Sequence, residues 1–315
     1  MMKKIAFLFP GQGSQSVGMG EEFYGEFDIV REIFDMTEEI TRLNISKLCF
    51  KGPMEDLTMT VNLQPAVTAV NLACLAAIAK ETIGYQFCAG HSLGEFSALC
   101  AAGVNSKEET IRLVFKRGEL MHREAGRYQG AMHAIVGLPI DEVAELVAGV
   151  QKDGIVSVAN HNTELQIVIT GAPPSVDRVS SLAVAKGAKS IPLKVSGAWH
   201  SELIKGAVAE FKEYLDTIPF NAPQKKVFFN VTADVAENPE EIREIMARQL
   251  ISPVNWYDAM NKMAAEKVDI FVEVGPGRVL AGLMKKILPT DYPAKVYNVA
   301  NLKQLETFLN EIDQD

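Results

Sequence analysis

The sequence predicts an α/β fold in which a domain with a parallel sheet carries a smaller inserted unit. Continuous apolar runs, first at Ile5–Phe9, alternate with helical segments along most of the chain, and this alternation is typical of a parallel sheet with buried strands. Between Gly126 and Gly197 the order changes to strand, helix, strand, strand, helix, strand, which is the order of ferredoxin-like units. A chain of 315 residues has room for one large domain with such an insert.

The elements predicted for the large domain follow from apolar periodicity and from helix caps. The helix at 107–125 comes after Ser106, a candidate N-cap, and carries Glu108 and Glu109 in its first turn, where acidic side chains interact favourably with the helix dipole. The predicted strands are 5–9, 85–89, 227–230 and 269–274, and the predicted helices are 28–43, 66–83, 95–102, 107–125, 200–216, 239–250, 255–265 and 278–287.

The inserted unit is predicted as a ferredoxin-like (βαββαβ) subdomain. Its strands are expected at 131–137, 155–160, 166–170 and 189–193, and its helices at 140–149 and 174–186. We therefore divide the chain into a discontinuous large domain, residues 1–127 and 197–315, and a small subdomain, residues 128–196.

Composition and charge exclude several classes of protein. The net charge of −9 argues against a general nucleic-acid binder, and an acidic partner would need a local basic patch. The 4 cysteines form no C-x-x-C pair and no zinc-type spacing, which indicates a reducing compartment. The first apolar run is too short for a signal peptide, and no apolar run approaches the length of a membrane span. We expect a cytoplasmic protein without nucleic-acid or membrane partners.

A candidate nucleophile lies at the predicted turn between strand 85–89 and helix 95–102. Gly90, Ser92 and Gly94 form the G-x-S-x-G pattern of a nucleophile elbow, in which the turn projects the serine hydroxyl out of the sheet. The helix that follows points its N–H groups towards a developing oxyanion. The alternative is an ordinary Gly-Ser turn; the strand-turn-helix setting favours the elbow.

A nucleophilic serine needs a base, and His200 is the best candidate among the 5 histidines. His200 lies in a loop where the chain leaves the insert and begins a helix, and such loops commonly present catalytic groups. His91 is adjacent to Ser92 in sequence and is poorly placed to take its proton. The alternative for His200 is a surface histidine at a helix N-terminus.

Arg117 lies on the apolar face of its predicted helix. Its neighbours three and four residues away are Leu113, Val114, Leu120 and Met121. A buried, unpaired charge is costly, so either a carboxylate inside the protein or a ligand carboxylate must accompany the guanidinium. A structural ion pair and a ligand-binding role remain equally open on this pattern.

Two glycine-rich turns resemble nucleotide-binding loops but lack their key residues. The loop after strand 5–9 has no third glycine and no acidic residue at the end of a second strand, which excludes dinucleotide binding. The turn at Gly275 lacks the Lys-Ser/Thr of a phosphate-binding loop. Gln12 in the first turn and Gln249 near a helix end are either hydrogen-bond donors in a site or polar turn residues.

Taken together, these segments resemble the malonyl-CoA:acyl carrier protein transacylases. The matching motifs occur in the family's order from residue 5 to about residue 287, and jointly they are highly specific. The motifs are Pro10 to Gln15, Gln64-Pro65-Ala66, Gly90 to Glu95, Arg117-Gly118, Ala159-Asn160-x-Asn162, Val195-Ser196-Gly197 with His200-Ser201, Ser252-Pro253-Val254 and Glu273 to Gly277.

The resemblance implies a hydrolase-like α/β domain with a ferredoxin-like insert, and it implies a role for each matching residue. Ser92 would be the nucleophile and His200 its base, in a dyad oriented by a backbone carbonyl near Gln249. Gln12 and the N–H of Leu93 would form the oxyanion hole. Arg117 would bind the free carboxylate of a malonyl group. The residues implied to line the site are Gln64, Asn160, Gln249 and His91.

The resemblance also implies the reaction and its partners. An acyl-serine would carry the malonyl group from malonyl-CoA to the phosphopantetheine thiol of acyl carrier protein, in ping-pong kinetics and without a metal or redox cofactor, because coenzyme A enters as a substrate. Lys285 and Lys286 are either a docking patch for the acidic carrier or a solvated helix end. We expect a monomer. The sequence leaves fatty-acid and polyketide synthesis both open.

Three positions depart from the family pattern, and two other functions compete. Trp199, His122 and His133 stand where the family usually has other residues, and Trp199 could narrow the acyl pocket. An acyl-thioester hydrolase would use the same serine and histidine but would gain nothing from a buried Arg117. An inactive docking subunit would have no need of Ser92, His200, Gln12 and Arg117, so the presence of all four argues against that function.

Overall fold

The computed structural model describes residues 3–81 and 83–313; the remaining residues of the predicted large domain, 1, 2, 82, 314 and 315, lie outside the described residues. The strands are β1 (Ile5–Phe9), β2 (Phe87–Gly90), β3 (Ala131–Val136), β4 (Val156–Thr163), β5 (Gln166–Gly171), β6 (Lys189–Pro192), β7 (Lys226–Phe228), β8 (Ile270–Val274) and β9 (Lys295–Val299). The helices are α1 (Glu21–Glu26), α2 (Asp28–Thr41), α3 (Ile45–Lys51), α4 (Met54–Thr58), α5 (Thr60–Ala79), α6 (Gly94–Ala101), α7 (Lys107–Arg127), α8 (Ile140–Val150), α9 (Pro173–Ala185), α10 (Val208–Asp216), α11 (Pro239–Arg248), α12 (Trp256–Ala265), α13 (Val279–Ile287) and α14 (Leu302–Asp313), with a 3₁₀ helix at Glu202–Ala207.

The larger sheet is parallel and has the order β7-β2-β1-β8-β9. Its central strands are apolar, except for Glu273 in β8, because both faces of the sheet are covered. Ile5, Phe7 and Phe9 of β1 pack with the layer of α2, α5 and α7, whereas Ala6 and Leu8 pack with α12 and α13. The carboxyl ends of β1 and β2 lie side by side, which brings the turns that follow them together.

The second sheet is antiparallel and has the order β4-β5-β3-β6. With α8 and α9 between its strands, it has the ferredoxin-like order, and the predicted fold class is confirmed. Its own apolar core lies under these two helices. Two backbone hydrogen bonds join its β4 to the large domain, from Val254 N–H to the carbonyl of Ala159 at 2.8 Å and from His161 N–H to the carbonyl of Val254 at 2.9 Å.

Helix α5 corrects the expectation that no segment is long and apolar enough to span a membrane. By length and composition it is, but 83% of its most apolar window is buried inside the protein, so it is a core helix. It begins at Thr60 and includes Pro65, earlier than the predicted 66–83. Helix α7 packs against it at Gly118, where a Cβ would lie 3.1 Å from the carbonyl oxygen of Thr60.

Some elements escaped prediction. Strand β9 lies at the sheet edge, where only its last residue, Val299, is fully buried, so it lacks the apolar run that identified the central strands. Helices α1, α3 and α4 are too short to show a helical period. The predicted helix 200–216 begins instead as the 3₁₀ helix, after His200.

Candidate active site

Ser92 occupies a tight turn between β2 and α6. Its φ is 50°, in the left-handed region that non-glycine residues rarely adopt, so the surrounding structure must hold it there. The two flanking glycines are sterically required. A Cβ on Gly90 would lie 2.0 Å from the carbonyl carbon of Gly94, and a Cβ on Gly94 would lie 2.0 Å from the carbonyl oxygen of Phe9.

His200 contacts the serine directly. Its Nε2 lies 2.8 Å from Ser92 Oγ. Its Nδ1 lies 3.0 Å from the carbonyl oxygen of Gln249 and 2.9 Å from that of Ser252. Because carbonyls only accept, Nδ1 carries the proton, and Nε2 is left with the lone pair that faces the hydroxyl. This tautomer is the one that can remove the proton from Ser92.

The environment keeps His200 neutral. Burial is the main cause that lowers the pKa of His200 to about 3, and the positive charge of Arg117 lowers it further, although the two carbonyls oppose this. The imidazole is therefore an available base throughout the neutral range, whereas an ordinary histidine would be protonated below pH 6.5.

This depressed pKa predicts the pH dependence of serine reactivity. Labelling of Ser92 by a fluorophosphonate needs the neutral imidazole, and protonation of His200 should slow it only when the pH drops well below 6.5. Arg117→Leu removes a cation next to the imidazole and should move the midpoint to higher pH. A midpoint that Arg117→Leu leaves unchanged would contradict this account.

Arg117 is 2% exposed and lies beside the dyad. Its Nη2 donates to Ser92 Oγ at 3.2 Å, and its Nη1 donates to Gln64 Oε1 at 2.9 Å. Burial lowers the pKa of Arg117 to about 10, so the guanidinium remains charged at neutral pH. Its Nε has no hydrogen-bond partner, and no described carboxylate lies within 4.0 Å of it. A direct ion pair is therefore absent among residues 3–81 and 83–313, although the buried carboxylate of Glu95 raises the pKa of Arg117 from a greater distance, against the effect of burial.

A cavity of about 170 Å³ opens above Ser92, between the two sheets. Gln12 and Leu93 both line it. The Nε2 of Gln12 is buried without a partner in the described chain, and the N–H of Leu93 belongs to the turn that begins α6, where N–H groups have no carbonyl within the helix. Residues lining the cavity include Pro10, Gly11, Gln12, His91, Ser92, Leu93, Arg117, Asn160, Asn162, Gln166, Leu193, Trp199, His200, Val279 and Leu283.

Two of the residues predicted to line the site do not reach the cavity. Gln64 lies behind Arg117, where its Oε1 accepts from the guanidinium. The side chain of Gln249 lies behind the nucleophile, and its Nε2 donates to the carbonyl oxygen of Ser92 at 3.0 Å. Asn160 and His91 do line the cavity, and His91 Nε2 lies 2.8 Å from Asn162 Oδ1.

Of the three positions that depart from the family pattern, only Trp199 lines the cavity. Its indole is 4% exposed, and a Cβ on Gly197 would lie 2.7 Å from the ring. His122 is exposed on α7, and His133 lies in β3 with its Nδ1 2.8 Å from Ser180 Oγ. The acyl pocket therefore depends on Trp199 and not on the other two.

Sequence analysis missed two buried polar residues behind the nucleophile, Glu95 and Asn230. Glu95 follows Gly94 in the elbow motif but lies on an otherwise apolar helix, and it is 0% exposed. Asn230 follows β7, at the same edge of the sheet as the elbow. A polar residue after a parallel strand was the available signal for Asn230.

Comparison of the sequence with known proteins identifies the family to which the chain belongs. The protein-family model described as the acyl transferase domain matches residues 6–311. The malonyl CoA-acyl carrier protein transacylase of Bacillus subtilis (strain 168) is 44% identical over 288 residues, which cover 91% of each chain.

Solved structures agree with the sequence comparison. The crystal structure of an acyl carrier protein S-malonyltransferase from Vibrio cholerae is 37% identical, covers 97% of this chain and 99% of its own, and superposes with a TM-score of 0.91. A malonyl-transacylase in complex with a type II PKS acyl-carrier protein is 34% identical, with a TM-score of 0.93, and the match covers 98% of this chain and 99% of that one. The chain belongs to the acyl transferase family, among the malonyl CoA-acyl carrier protein transacylases.

Proposed function

We propose that this protein moves a malonyl group from malonyl-CoA to the phosphopantetheine thiol of an acyl carrier protein, through an acyl-serine on Ser92. The observation that carries the proposal is the buried guanidinium of Arg117, which lies beside the Ser92 hydroxyl with no described carboxylate in direct contact and with its Nε unpartnered. An acyl group with a free carboxylate would provide that partner, and the planar fork of arginine suits a carboxylate.

In the first half-reaction, Ser92 Oγ attacks the thioester carbonyl while its proton passes to Nε2 of His200, 2.8 Å away. The oxyanion receives hydrogen bonds from Gln12 Nε2 and the N–H of Leu93. When the C–S bond breaks, His200 returns the proton to the sulfur, and coenzyme A leaves as a thiol. The malonyl ester remains on Ser92, with its carboxylate on Arg117.

The second half-reaction reverses these steps with a different thiol. The phosphopantetheine thiol gives its proton to His200 and attacks the ester carbonyl, and the proton then returns to Ser92 Oγ as the C–O bond breaks. The two substrates use one site in turn, so the kinetics are ping-pong. No step calls for a metal or a redox cofactor.

A thioester hydrolase on the same scaffold is the second candidate, because the Ser92–His200 pair serves both reactions. The two are separated by incubating the enzyme with malonyl-CoA and measuring free malonate and malonyl-carrier protein, with and without holo-carrier protein. Transfer predicts malonyl-carrier protein as the main product and slow malonate release without the carrier. Rapid malonate release that the carrier does not suppress would favour the hydrolase.

Lys285 and Lys286 are exposed on the last turn of α13, whose first residue lines the cavity mouth, and we propose that they dock the acidic carrier. Reversing both charges to glutamate should raise the KM for carrier protein about tenfold and leave the KM for malonyl-CoA unchanged. Lys225 and Lys226, a second lysine pair at the amino end of β7, are the matched control. Equal effects on both substrates, or the same effect from the control pair, would refute this docking site.

The proposal also covers the oligomeric state, the compartment and the pathway. We propose a monomeric, cytoplasmic enzyme that supplies malonyl-carrier protein to fatty-acid synthesis, with polyketide synthesis as the other pathway. Light scattering of the purified protein tests the monomer, and the growth phenotype of a deletion strain with and without added fatty acids tests the pathway.

A further inference from the structure

We infer that Glu95 is a positioning residue for the reaction, because its buried carboxylate holds Asn230 by the backbone N–H and Gln249 by the side chain, and these two residues hold the backbone of Ser92 and orient His200. The inference rests on the proposed function. Glu95 is 0% exposed and does not line the cavity, so it acts without touching the substrate. Each of its two oxygens accepts one hydrogen bond, from Asn230 and from Gln249.

Asn230 connects the first oxygen to the amino side of the elbow. The backbone N–H of Asn230 donates to Glu95 Oε1 at 2.6 Å. Its side-chain Oδ1 accepts from the N–H of Ser92 at 2.7 Å, and its Nδ2 donates to the carbonyl oxygen of Gly90 at 2.7 Å. One amide thus holds the backbone on either side of His91, immediately before Ser92 adopts its positive φ of 50°.

Gln249 connects the second oxygen to the carboxyl side of the elbow and to the base. Its Nε2 donates both to Glu95 Oε2 and to the carbonyl oxygen of Ser92, the latter at 3.0 Å. Its own carbonyl oxygen accepts from His200 Nδ1 at 3.0 Å. The same residue therefore fixes the nucleophile and the tautomer of the base, and Glu95 determines where its side chain lies.

Only a carboxylate accepts two hydrogen bonds in this place without presenting a donor. Glutamine has the same shape but one acceptor oxygen, so in Glu95→Gln an NH₂ group would face the N–H of Asn230 or the NH₂ of Gln249. Burial raises the pKa of Glu95 to about 7, and the hydrogen bonds from Asn230 and Gln249 together with the charge of Arg117 oppose that rise. Displacing a reacting group by about 1 Å can cost about 100-fold in rate.

The test measures serine reactivity independently of substrate binding. In Glu95→Gln, both labelling of Ser92 by a fluorophosphonate and kcat for malonyl transfer should fall about 100-fold, with the KM for malonyl-CoA within about twofold of wild type. Asn230→Ala should give a similar loss. The double variant should lose less than the product of the two single losses, because part of the effect of Glu95 passes through Asn230 and the rest through Gln249.

Glu124→Gln is the matched control. Glu124 is also a buried carboxylate, 1% exposed, but it pairs with Arg123 and Arg127 and does not contact the dyad. The inference is overturned if Glu95→Gln resembles Glu124→Gln, with lower stability but wild-type labelling, or if the effects of Glu95→Gln and Asn230→Ala multiply. If Glu95→Gln does not fold, wild-type labelling in Asn230→Ala overturns it equally. Failure of the wild type to label at Ser92 would instead refute the proposed function.

Discussion

Replacing His200 with alanine should slow malonyl transfer by about 10⁴-fold, with little change in the KM for malonyl-CoA. The lone pair on Nε2 of the imidazole faces Ser92 Oγ at 2.8 Å. Without it the serine proton has no acceptor, and the leaving thiolate has no donor. The measurement is the single-turnover rate of malonyl-enzyme formation, which separates chemistry from carrier binding.

His122→Ala is the control for the His200 experiment, because His122 is exposed on α7 and lies outside the cavity. It should leave the single-turnover rate unchanged. A loss in His200→Ala of less than tenfold, or an equal loss in the two variants, would show that the base has been misidentified.

Arg117→Leu should lower kcat/KM for malonyl-CoA by about 10³-fold while reducing that for acetyl-CoA far less. A carboxylate brought next to the buried guanidinium gains a charged, two-point interaction, and the leucine variant would bury that carboxylate without a partner. Acetyl-CoA has no carboxylate, so only the indirect effects on Ser92 and His200 remain. The ratio of the two kcat/KM values is the quantity to measure.

Arg112→Leu is the matched control for Arg117→Leu. Arg112 lies on the same helix but is exposed and pairs with Glu108 at 2.8 Å. Its loss should leave the malonyl-to-acetyl ratio unchanged. If Arg117→Leu lowers kcat/KM equally for both substrates, Arg117 supports the dyad but does not select the malonyl group.

The sequence predicts the central architecture well because it is encoded locally. Strands β1 and β2 are continuous apolar runs, and β8 is apolar except for Glu273. A glycine turn follows β1 and β8, while the serine turn follows β2. The succession of strands and helices in the insert likewise predicts a ferredoxin-like unit, and the antiparallel sheet confirms it. Strand β9 could not be predicted in this way, because an edge strand that is half-exposed gains its structure from pairing with β8.

The site shows the same division between local and long-range information. Ser92 was identified from its own turn, and Arg117 from the apolar face of one helix. The sequence does not show that the side chains of Gln64 and Gln249 lie behind the cavity wall, because their positions depend on contacts with distant residues; the carbonyl of Gln249 does contact His200, as the resemblance implies. Asn230 lies 138 positions from Ser92 in the chain, so only folding reveals that its amide binds the nucleophile's N–H.

The central claim is that Ser92 carries a malonyl group between two thiols. It is tested most directly by the intact mass of the protein after brief exposure to malonyl-CoA, and again after addition of holo-acyl carrier protein, with Ser92→Ala in parallel. The account predicts one malonyl adduct on the wild type, none on the variant, and movement of the adduct to the carrier. An adduct on Ser92→Ala, no adduct on the wild type, or loss of the adduct to water with the carrier unmodified would contradict it.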